Sequence, residues 1–186
     1  MGYVSRGGEK LAFALERFDV DPSSWICADF GSSTGGFADC LLQRGAKRVY
    51  SVDTCYGTLA WSLRTDPRVV VMERQNALYL QLPEPMDLVT IDVGWTRQKF
   101  ILPKAAQGVR RGGFVLSLLK TQYEAEPAQI KRGRLDPARV SDVVEHVLEE
   151  LRTMGVPIVD VAESPLVGRK GNVEYWLKVI PGHCQK

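Results

Sequence analysis

The sequence predicts an α/β domain built on a mostly parallel, doubly wound sheet with an antiparallel last strand. Short apolar runs alternate with amphipathic helical patterns along most of the chain, which is typical of parallel strands joined by helices. Turn signals such as Asp66-Pro67 and Gly112-Gly113 separate these segments. The chain has 186 residues, 45% of them hydrophobic, which suits one globular domain. We expect a single domain over 1–186, with an N-terminal helix region at 1–22 and the α/β core at 23–186.

The first half of the chain predicts strand–helix alternation after an opening helix. Leu11, Leu15 and Phe18 recur at helical spacing and predict that first helix. An apolar run that ends in Asp29-Phe30-Gly31 predicts the first strand, and a helix follows it from about Phe37. The remaining patterns complete the prediction for this half: helices 8–18 and 56–64, and strands 25–30, 49–53 and 69–72.

The second half continues the alternation and then changes direction. The predicted elements are strands 87–92, 113–119, 157–162 and 173–180, and helices 98–110 and 136–154. A short turn at 165–171 joins the two late strands, which favours an antiparallel hairpin at this end. The last strand therefore runs against the others in the predicted sheet.

Charge is distributed unevenly along the chain. The formal net charge is only +2, which does not by itself indicate a nucleic-acid partner. Between Trp95 and Arg134, however, nine basic residues accompany two acidic ones. This stretch is either a surface for phosphate groups or an ordinary solvated face.

Cysteine usage and hydropathy exclude several classes of protein. Four cysteines lie far apart, without a Cys-x-x-Cys pair, which argues against a metal site and a disulfide scaffold: Cys27, Cys40, Cys55 and Cys184. No apolar stretch approaches the roughly 18 residues that span a bilayer, and no secretory signal pattern opens the chain. We expect a cytoplasmic protein with no metal and no membrane partner.

A glycine-rich turn marks the candidate ligand site. The segment Asp29-Phe-Gly-Ser-Ser-Thr-Gly-Gly-Phe37 follows the first strand, where open α/β sheets bind ligands. It has neither the G-x-G-x-x-G spacing of a dinucleotide site nor the Gly-Lys-Ser/Thr of a P-loop. Asp53 lies about 20 residues beyond, where an acidic residue accepts hydrogen bonds from a ribose. We expect a ligand with a ribose there rather than a nucleotide phosphate.

The segment from Asp29 to Asp53 resembles the cofactor half of the TlyA (hemolysin A-like) family of FtsJ-type RNA 2′-O-ribose methyltransferases. Further similar segments are Tyr3-Val-Ser-Arg-Gly-Gly-Glu-Lys-Leu11, Asp66-Pro-Arg-Val-Val-Val71 and Gly171-Asn-Val-Glu-Tyr175. The resemblance spans nearly the whole chain. Two segments differ from the family pattern, Gly94-Trp-Thr-Arg-Gln98 and Thr121-Gln-Tyr123. The family's usual N-terminal S4 RNA-binding module has no counterpart in the sequence given. We expect either a lone catalytic domain, for which a separate RNA-binding module is a candidate partner, or a trimmed part of a longer protein.

The resemblance implies a Rossmann-like, FtsJ-like methyltransferase domain with S-adenosyl-L-methionine as cofactor. The implied cofactor-binding residues are Asp29, Gly31, Ser32, Ser33, Thr34, Gly35, Gly36, Phe37, Asp53, Asn76 and Asp92. It also implies a catalytic Lys-Asp-Lys-Glu tetrad at Lys10, Asp92, Lys120 and Glu174. Independently of the family, Asp92 and Lys120 each close an apolar run, at what should be the carboxyl edge of the sheet. Glu174 reaches that edge only if the last strand is antiparallel.

The role of Lys120 stays open at this point. A neutral Lys120 could remove the hydroxyl proton, whereas a charged Lys120 could stabilise the developing alkoxide. Asp92 could belong to the tetrad or contact the cofactor or substrate. The position after the fourth strand holds neither the Asn/Asp-Pro-Pro-aromatic turn typical of amino methylation nor a cysteine for pyrimidine C5 methylation.

The expected partner is RNA, with ribosomal RNA or a ribosomal subunit favoured. The residues expected to contact it are Arg6, Lys99, Lys104, Arg110, Arg111, Lys131, Arg132 and Arg134, with Trp95 or Tyr123 as a stacking surface. One alternative is methylation of a small molecule or a protein. Another is a hemolysin-like binding or membrane-active protein without catalysis, although no amphipathic membrane segment supports it.

Overall fold

A seven-stranded sheet forms the centre of the molecule. The computed structural model describes residues 2–168 and 170–182. The strand order is β3-β2-β1-β4-β5-β9-β8, and a separate two-stranded sheet pairs β6 with β7. The strands are β1 (Ile26–Phe30), β2 (Arg48–Asp53), β3 (Val69–Glu73), β4 (Met86–Ile91), β5 (Val109–Lys120), β6 (Ile130–Lys131), β7 (Arg134–Leu135), β8 (Ile158–Glu163) and β9 (Glu174–Val179).

Strands β1 to β5 are parallel, and β9 lies between β5 and β8, antiparallel to both. The predicted sheet with an antiparallel last strand is therefore confirmed. Since β9 runs against its neighbours, its first residue lies at the edge where the parallel strands end. Both late strands lie within one residue of the predicted bounds.

Helices cover both faces of the sheet. They are α1 (Arg6–Arg17), α2 (Gly36–Gln43), α3 (Trp61–Arg64), α4 (Gln98–Gln107), α5 (Thr121–Glu124) and α6 (Val140–Thr153). Leu11 and Leu15 of α1 pack with Leu41 of α2 in one buried cluster. Ile101 of α4 and Val147 of α6 belong to the other. Within the described ranges, no helix is long and apolar enough to cross a bilayer.

Three predicted helices are shorter in the structure. Only Trp61–Arg64 of the predicted helix 56–64 is helical, since the chain turns at Gly57 with a φ of +74°. Helix 98–110 ends at Gln107 because Gly108 caps it and Val109 already pairs with Met86. Helix 136–154 begins only at Val140, after a 3₁₀ turn over Pro137–Arg139.

The cysteines do not cluster in the part of the chain described. Cys27 and Cys40 are buried and Cys55 is exposed, all three as free thiols, while Cys184 lies outside the described residues. Among the described residues, no group of three or more histidine, cysteine, aspartate or glutamate side chains is placed to hold a metal ion.

Candidate active site

A pocket of about 880 Å³ opens at the carboxyl edge of the parallel strands. The glycine-rich turn after β1, the end of β2 and the segment after β4 line it, together with the end of β5 and the start of β9. All four residues of the predicted tetrad line this pocket: Lys10, Asp92, Lys120 and Glu174. The structure therefore brings together residues that lie up to 164 positions apart in the chain.

The four side chains form two ion pairs. Lys10 Nζ contacts Glu174 Oε2, and Lys120 Nζ contacts Asp92 Oδ1. Lys120 and Glu174 are also paired residues in the register between β5 and β9. The side chains of Lys10 and Glu174 are 11% and 3% exposed, against 17% and 24% for Lys120 and Asp92. The second pair is therefore the more open to an incoming substrate.

Asp92 is fixed against the glycine-rich turn through the backbone. The Asp92 N–H donates to Phe30 O at 2.9 Å. A Cβ on Gly31 would lie 2.5 Å from Asp92 O, and Gly31 has a φ of +85°. A side chain at Gly31 is thus excluded both by the contact and by the left-handed backbone. These backbone contacts link the glycine-rich turn directly to the tetrad residue Asp92.

Lys10 enters the site because α1 and α2 approach closely at their N-termini. Ser5 caps α1 by accepting the Gly7 N–H at 3.3 Å. A Cβ on Gly36 would lie 2.8 Å from Gly8 N. Glycine at position 36 therefore allows the contact between the helices that places Lys10 over the sheet edge.

Burial raises the pKa of Glu174, and its contact with Lys10 acts in the opposite direction. The carboxylate has little free space, since a Cβ on Gly168 would lie 2.6 Å from Glu174 Oε1. A carboxylate this buried needs its cationic partner. Glu174 therefore fixes the Lys10 ammonium within the pocket.

Asp53 organises the turn that was predicted to bind the cofactor. Its Oδ2 accepts the Ser33 N–H at 2.7 Å, and its Oδ1 accepts the Cys55 N–H at 2.7 Å. A carboxylate oxygen accepts more than one hydrogen bond, so each oxygen keeps capacity for a ribose hydroxyl. Asp53 lines the pocket beside Asn76.

The other predicted cofactor residues also lie at the pocket, with one exception. Asp29, Gly31, Ser32, Ser33, Thr34, Gly36 and Phe37 line it. Gly35 does not, and instead starts α2 with a φ of +99° while a Cβ there would lie 2.2 Å from Leu63 Cδ1. Its role in the turn is conformational, since a left-handed residue is needed between the turn and α2.

Asp29 is a buried carboxyl group without a full set of partners. Its Oδ1 accepts from Thr90 Oγ1 at 3.2 Å, whereas its Oδ2 has no hydrogen-bond partner among the described residues. Burial raises the pKa of Asp29 to about 8, and the negative charge of Asp92 adds to this shift. At neutral pH Asp29 is therefore mostly protonated, and a cationic group bound beside it would favour its charged form.

The residues predicted to contact RNA divide into two groups by position. Arg6 lines the pocket, while Lys131 and Arg134 lie on the β6–β7 hairpin with Arg132 at its turn. The second group, on α4 and at the start of β5, is Lys99, Lys104, Arg110 and Arg111. Lys99 pairs with Glu150 at 2.8 Å, and Arg110 pairs with Asp87 at the beginning of β4. Since β4 and β5 are parallel, Arg110 and Arg111 lie near the edge opposite the pocket.

Two aromatic residues stand at the rim of the pocket. Trp95 is 87% exposed, with a φ of +64°, and its ring lies 4.9 Å from that of Tyr123 between centroids. Lys120 Nζ lies 5.9 Å from the centre of the Tyr123 ring. A large apolar side chain this exposed beside a charged pocket suits stacking against a planar group.

Several pocket residues were not predicted from the sequence, among them Gly133, Lys170 and Asn172. The hairpin that carries Gly133 has strands of two residues, too short to give a periodic pattern. Asn172 lies in the segment Gly171-Asn-Val-Glu-Tyr175, which carried part of the family resemblance. The family resemblance of that segment is the sequence feature that could have identified Asn172 as a pocket residue.

Comparison with known proteins gives a consistent family. The model of the FtsJ-like methyltransferase family matches residues 3–179. The 16S/23S rRNA (cytidine-2′-O)-methyltransferase TlyA of Mycobacterium tuberculosis is 42% identical over 181 residues, which are 94% of this chain and 67% of that protein. Hemolysin A of Brachyspira hyodysenteriae is 35% identical over 179 residues, 93% of this chain and 75% of that protein.

Solved structures agree with this result. A hemolysin candidate from Streptococcus thermophilus superposes with a TM-score of 0.92 at 36% identity, over 98% of this chain and 68% of that one. The resemblance to TlyA and hemolysin A proteins is therefore confirmed. The match over most of the chain, together with the sheet order and the pocket, shows that this chain belongs to the FtsJ-like methyltransferase family.

Proposed function

We propose that this chain transfers a methyl group from S-adenosyl-L-methionine to a ribose 2′-hydroxyl of RNA, with ribosomal RNA as the substrate. The observation that carries the proposal is the convergence of Lys10, Asp92, Lys120 and Glu174 as two ion pairs in one pocket, beside the glycine-rich turn. The relative from Mycobacterium tuberculosis, at 42% identity, is named for this reaction on ribosomal RNA.

The acidic end of the pocket fits a cationic cofactor. S-adenosylmethionine carries an ammonium group, a positively charged sulfonium and a ribose diol. The unpartnered Oδ2 of Asp29 is free to bond to the ammonium group, and the charge of Asp92 in the same pocket favours the positive groups. Asp53 can accept hydrogen bonds from the ribose. When bound, this cofactor supplies an electrophilic methyl group.

In this proposal, the tetrad aligns the ribose hydroxyl and stabilises the negative charge that develops on its oxygen. A C–O bond forms at the ribose 2′-oxygen while the S–C bond breaks, and the electron pair of that bond stays with sulfur. The hydroxyl proton leaves to water late in this exchange, because a charged Lys120 has no lone pair with which to accept it. Alignment of the hydroxyl in such a site lowers the activation barrier by several kcal/mol.

Lys120 is the group that we place at the reacting oxygen. Its partner Asp92 is the more exposed carboxylate of the tetrad, and Glu174 lies opposite it in the strand register. Because Lys120 Nζ contacts Asp92 and lies opposite Glu174 in the strand register, we assign Lys120, as a cation, to stabilising the developing alkoxide. Lys10 neutralises Glu174 and keeps the site close to electrically balanced.

Contacts outside the tetrad hold the RNA. We assign phosphate contacts to Arg6 and to the hairpin residues Lys131, Arg132 and Arg134, and base stacking to Trp95. The predicted contacts of Lys99, Lys104, Arg110 and Arg111 require an RNA that extends around α4 to the other edge of the sheet. A ribosomal subunit offers such an extended surface.

A methyl-transfer assay with radiolabelled S-adenosylmethionine tests the proposal. Ribosomal subunits from cells lacking the modification are incubated with the chain, and the labelled RNA is digested to nucleosides. We expect label in a 2′-O-methylated nucleoside. Label in a base, in ribosomal protein or in a small molecule would refute the ribose assignment, and release of dye from liposomes without methyl transfer would favour the hemolysin alternative.

A further inference from the structure

The short β6–β7 hairpin presents three unpaired cations beside the pocket. We define residues 130–135 as the basic hairpin. Its turn residues Arg132 and Gly133 have φ values of +53° and +78°, the pattern of a tight two-residue hairpin turn. Lys131, Arg132 and Arg134 are exposed, and none of them pairs with a carboxylate in the described part of the chain. Their charges are therefore available to an anion.

One buried amide holds this hairpin in place. Asn172 is 4% exposed, and its Oδ1 accepts the Leu135 N–H at 2.9 Å. Its Nδ2 donates to Gly133 O at 3.0 Å. A two-stranded hairpin of this length is not stable by itself in water, so it needs such an anchor. Both polar atoms of the Asn172 side chain therefore form hydrogen bonds with the hairpin backbone.

The anchor is connected directly to the catalytic strands. Asn172 lies two residues before Glu174, and Thr121 Oγ1, next to Lys120, donates to Val173 O at 2.9 Å. Gly133 and Asn172 themselves line the pocket with Glu174. The hairpin thus borders the pocket on the Glu174 side, while the glycine-rich turn borders it near Asp92.

We propose that Asn172 is a positioning residue that holds the basic hairpin where its cations bind the RNA phosphate next to the target ribose. This inference rests on the proposed function, because it takes RNA as the substrate. A ribose whose 2′-oxygen is at Lys120 carries a phosphate on its adjacent 3′-oxygen. The hairpin borders the pocket through Ile130 and Gly133, so its free cations lie on a segment suited to reach that phosphate, and Asn172 fixes the position of this segment relative to the tetrad.

A double-mutant cycle tests the proposal on the full chain. The charge variant is Lys131→Gln with Arg132→Gln, the anchor variant is Asn172→Ala, and the third member combines them. A control with the same charge change, Lys47→Gln with Arg152→Gln, removes two exposed cations at the opposite end of the sheet, of which Arg152 contacts Glu149 at 3.7 Å. Affinity for a labelled structured RNA hairpin is measured by filter binding at several salt concentrations, and kcat and KM are measured on ribosomal subunits.

We expect the charge variant to bind RNA about tenfold more weakly. The salt slope, which is the slope of log K for RNA binding against log salt concentration, should become less steep by about 1.4 to 1.8 because two phosphate contacts are lost. Asn172→Ala should raise KM in the wild-type background and have little further effect once the charges are gone. Cofactor affinity, measured by calorimetry, should stay unchanged in both variants. The control should keep the wild-type salt slope.

Two results would overturn the inference. One is an unchanged salt slope in the charge variant. The other is an Asn172→Ala variant that lowers kcat equally in both backgrounds, because Asn172 would then act on Glu174 rather than through the hairpin. If the wild-type chain binds RNA through the hairpin but labels no ribose, the proposed reaction fails while the RNA site stands, so the two failures are distinguishable.

Discussion

Replacing Lys120 by alanine gives the most direct test of the proposed chemistry. The variant removes the ammonium that contacts Asp92 and faces Glu174 in the strand register. Removing an oxyanion stabiliser typically lowers turnover by at least about 10²-fold, which corresponds to about 2.7 kcal/mol of transition-state stabilisation. Because Asp92 is 24% exposed, leaving it unpaired should cost less folding stability than the 3 to 5 kcal/mol of a fully buried pair.

The assay separates chemistry from binding. Single-turnover methyl transfer at saturating cofactor gives the chemical rate, calorimetry gives the cofactor affinity, and thermal unfolding checks the fold. We expect Lys120→Ala to lose rate while its cofactor affinity stays nearly unchanged. Lys120→Arg keeps a permanent charge, so retained activity supports electrostatic stabilisation and near-total loss supports a general base. A wild-type rate in Lys120→Ala would remove the tetrad from the mechanism.

Three further predictions concern the cofactor turn, the buried acid and the distant basic face. Asp53→Ala should weaken S-adenosylmethionine binding at least about tenfold, because hydrogen bonds to a charged group contribute roughly 1.5 to 3 kcal/mol each. An unchanged cofactor affinity in calorimetry would contradict the ribose contact. Because the pKa of Asp29 is raised to about 8 in the fold, its stabilising contribution is lost progressively as pH rises from its ordinary value near 3.8 and is gone just above pH 8. Asp29→Asn should therefore flatten the fall in melting temperature between about pH 5 and 8, and equal slopes in the two proteins would disprove the shift. Arg110→Gln with Arg111→Gln should weaken RNA binding less than the hairpin charge variant, and an unchanged salt slope would make that face solvated surface.

The strand-end residues of the site could be predicted because sheet topology alone positions them. Asp92 and Lys120 close apolar runs, and parallel strands end at one edge. Glu174 lies at the same edge because the last strand, as predicted, is antiparallel. Lys10 depended on the family resemblance, because its place is set by the contact between Gly36 and α1, which no local pattern reveals.

Other parts of the fold could not be predicted because tertiary contacts override local signals. The helical pattern through Arg110 was ended by Gly108 and by the pairing of Val109 with Met86 across a register shift. The basic hairpin depends on the side chain of Asn172, which lies 37 residues beyond Leu135. The division of the chain into a helix region at 1–22 and a core at 23–186 stays a prediction.

The pairing of Lys120 with Glu174 across adjacent strands has a consequence for how such enzymes diverge. After Lys120 the chain leaves the sheet, passes through the basic hairpin and α6, and re-enters the sheet as β8 before β9 begins at Glu174. Because the register between β5 and β9 holds Lys120 opposite Glu174, insertions or exchanges near 125–136 leave the spacing of these two residues intact. Under the proposed function, selection can therefore change the RNA contacts of this one segment without moving Lys120 and Glu174 relative to each other.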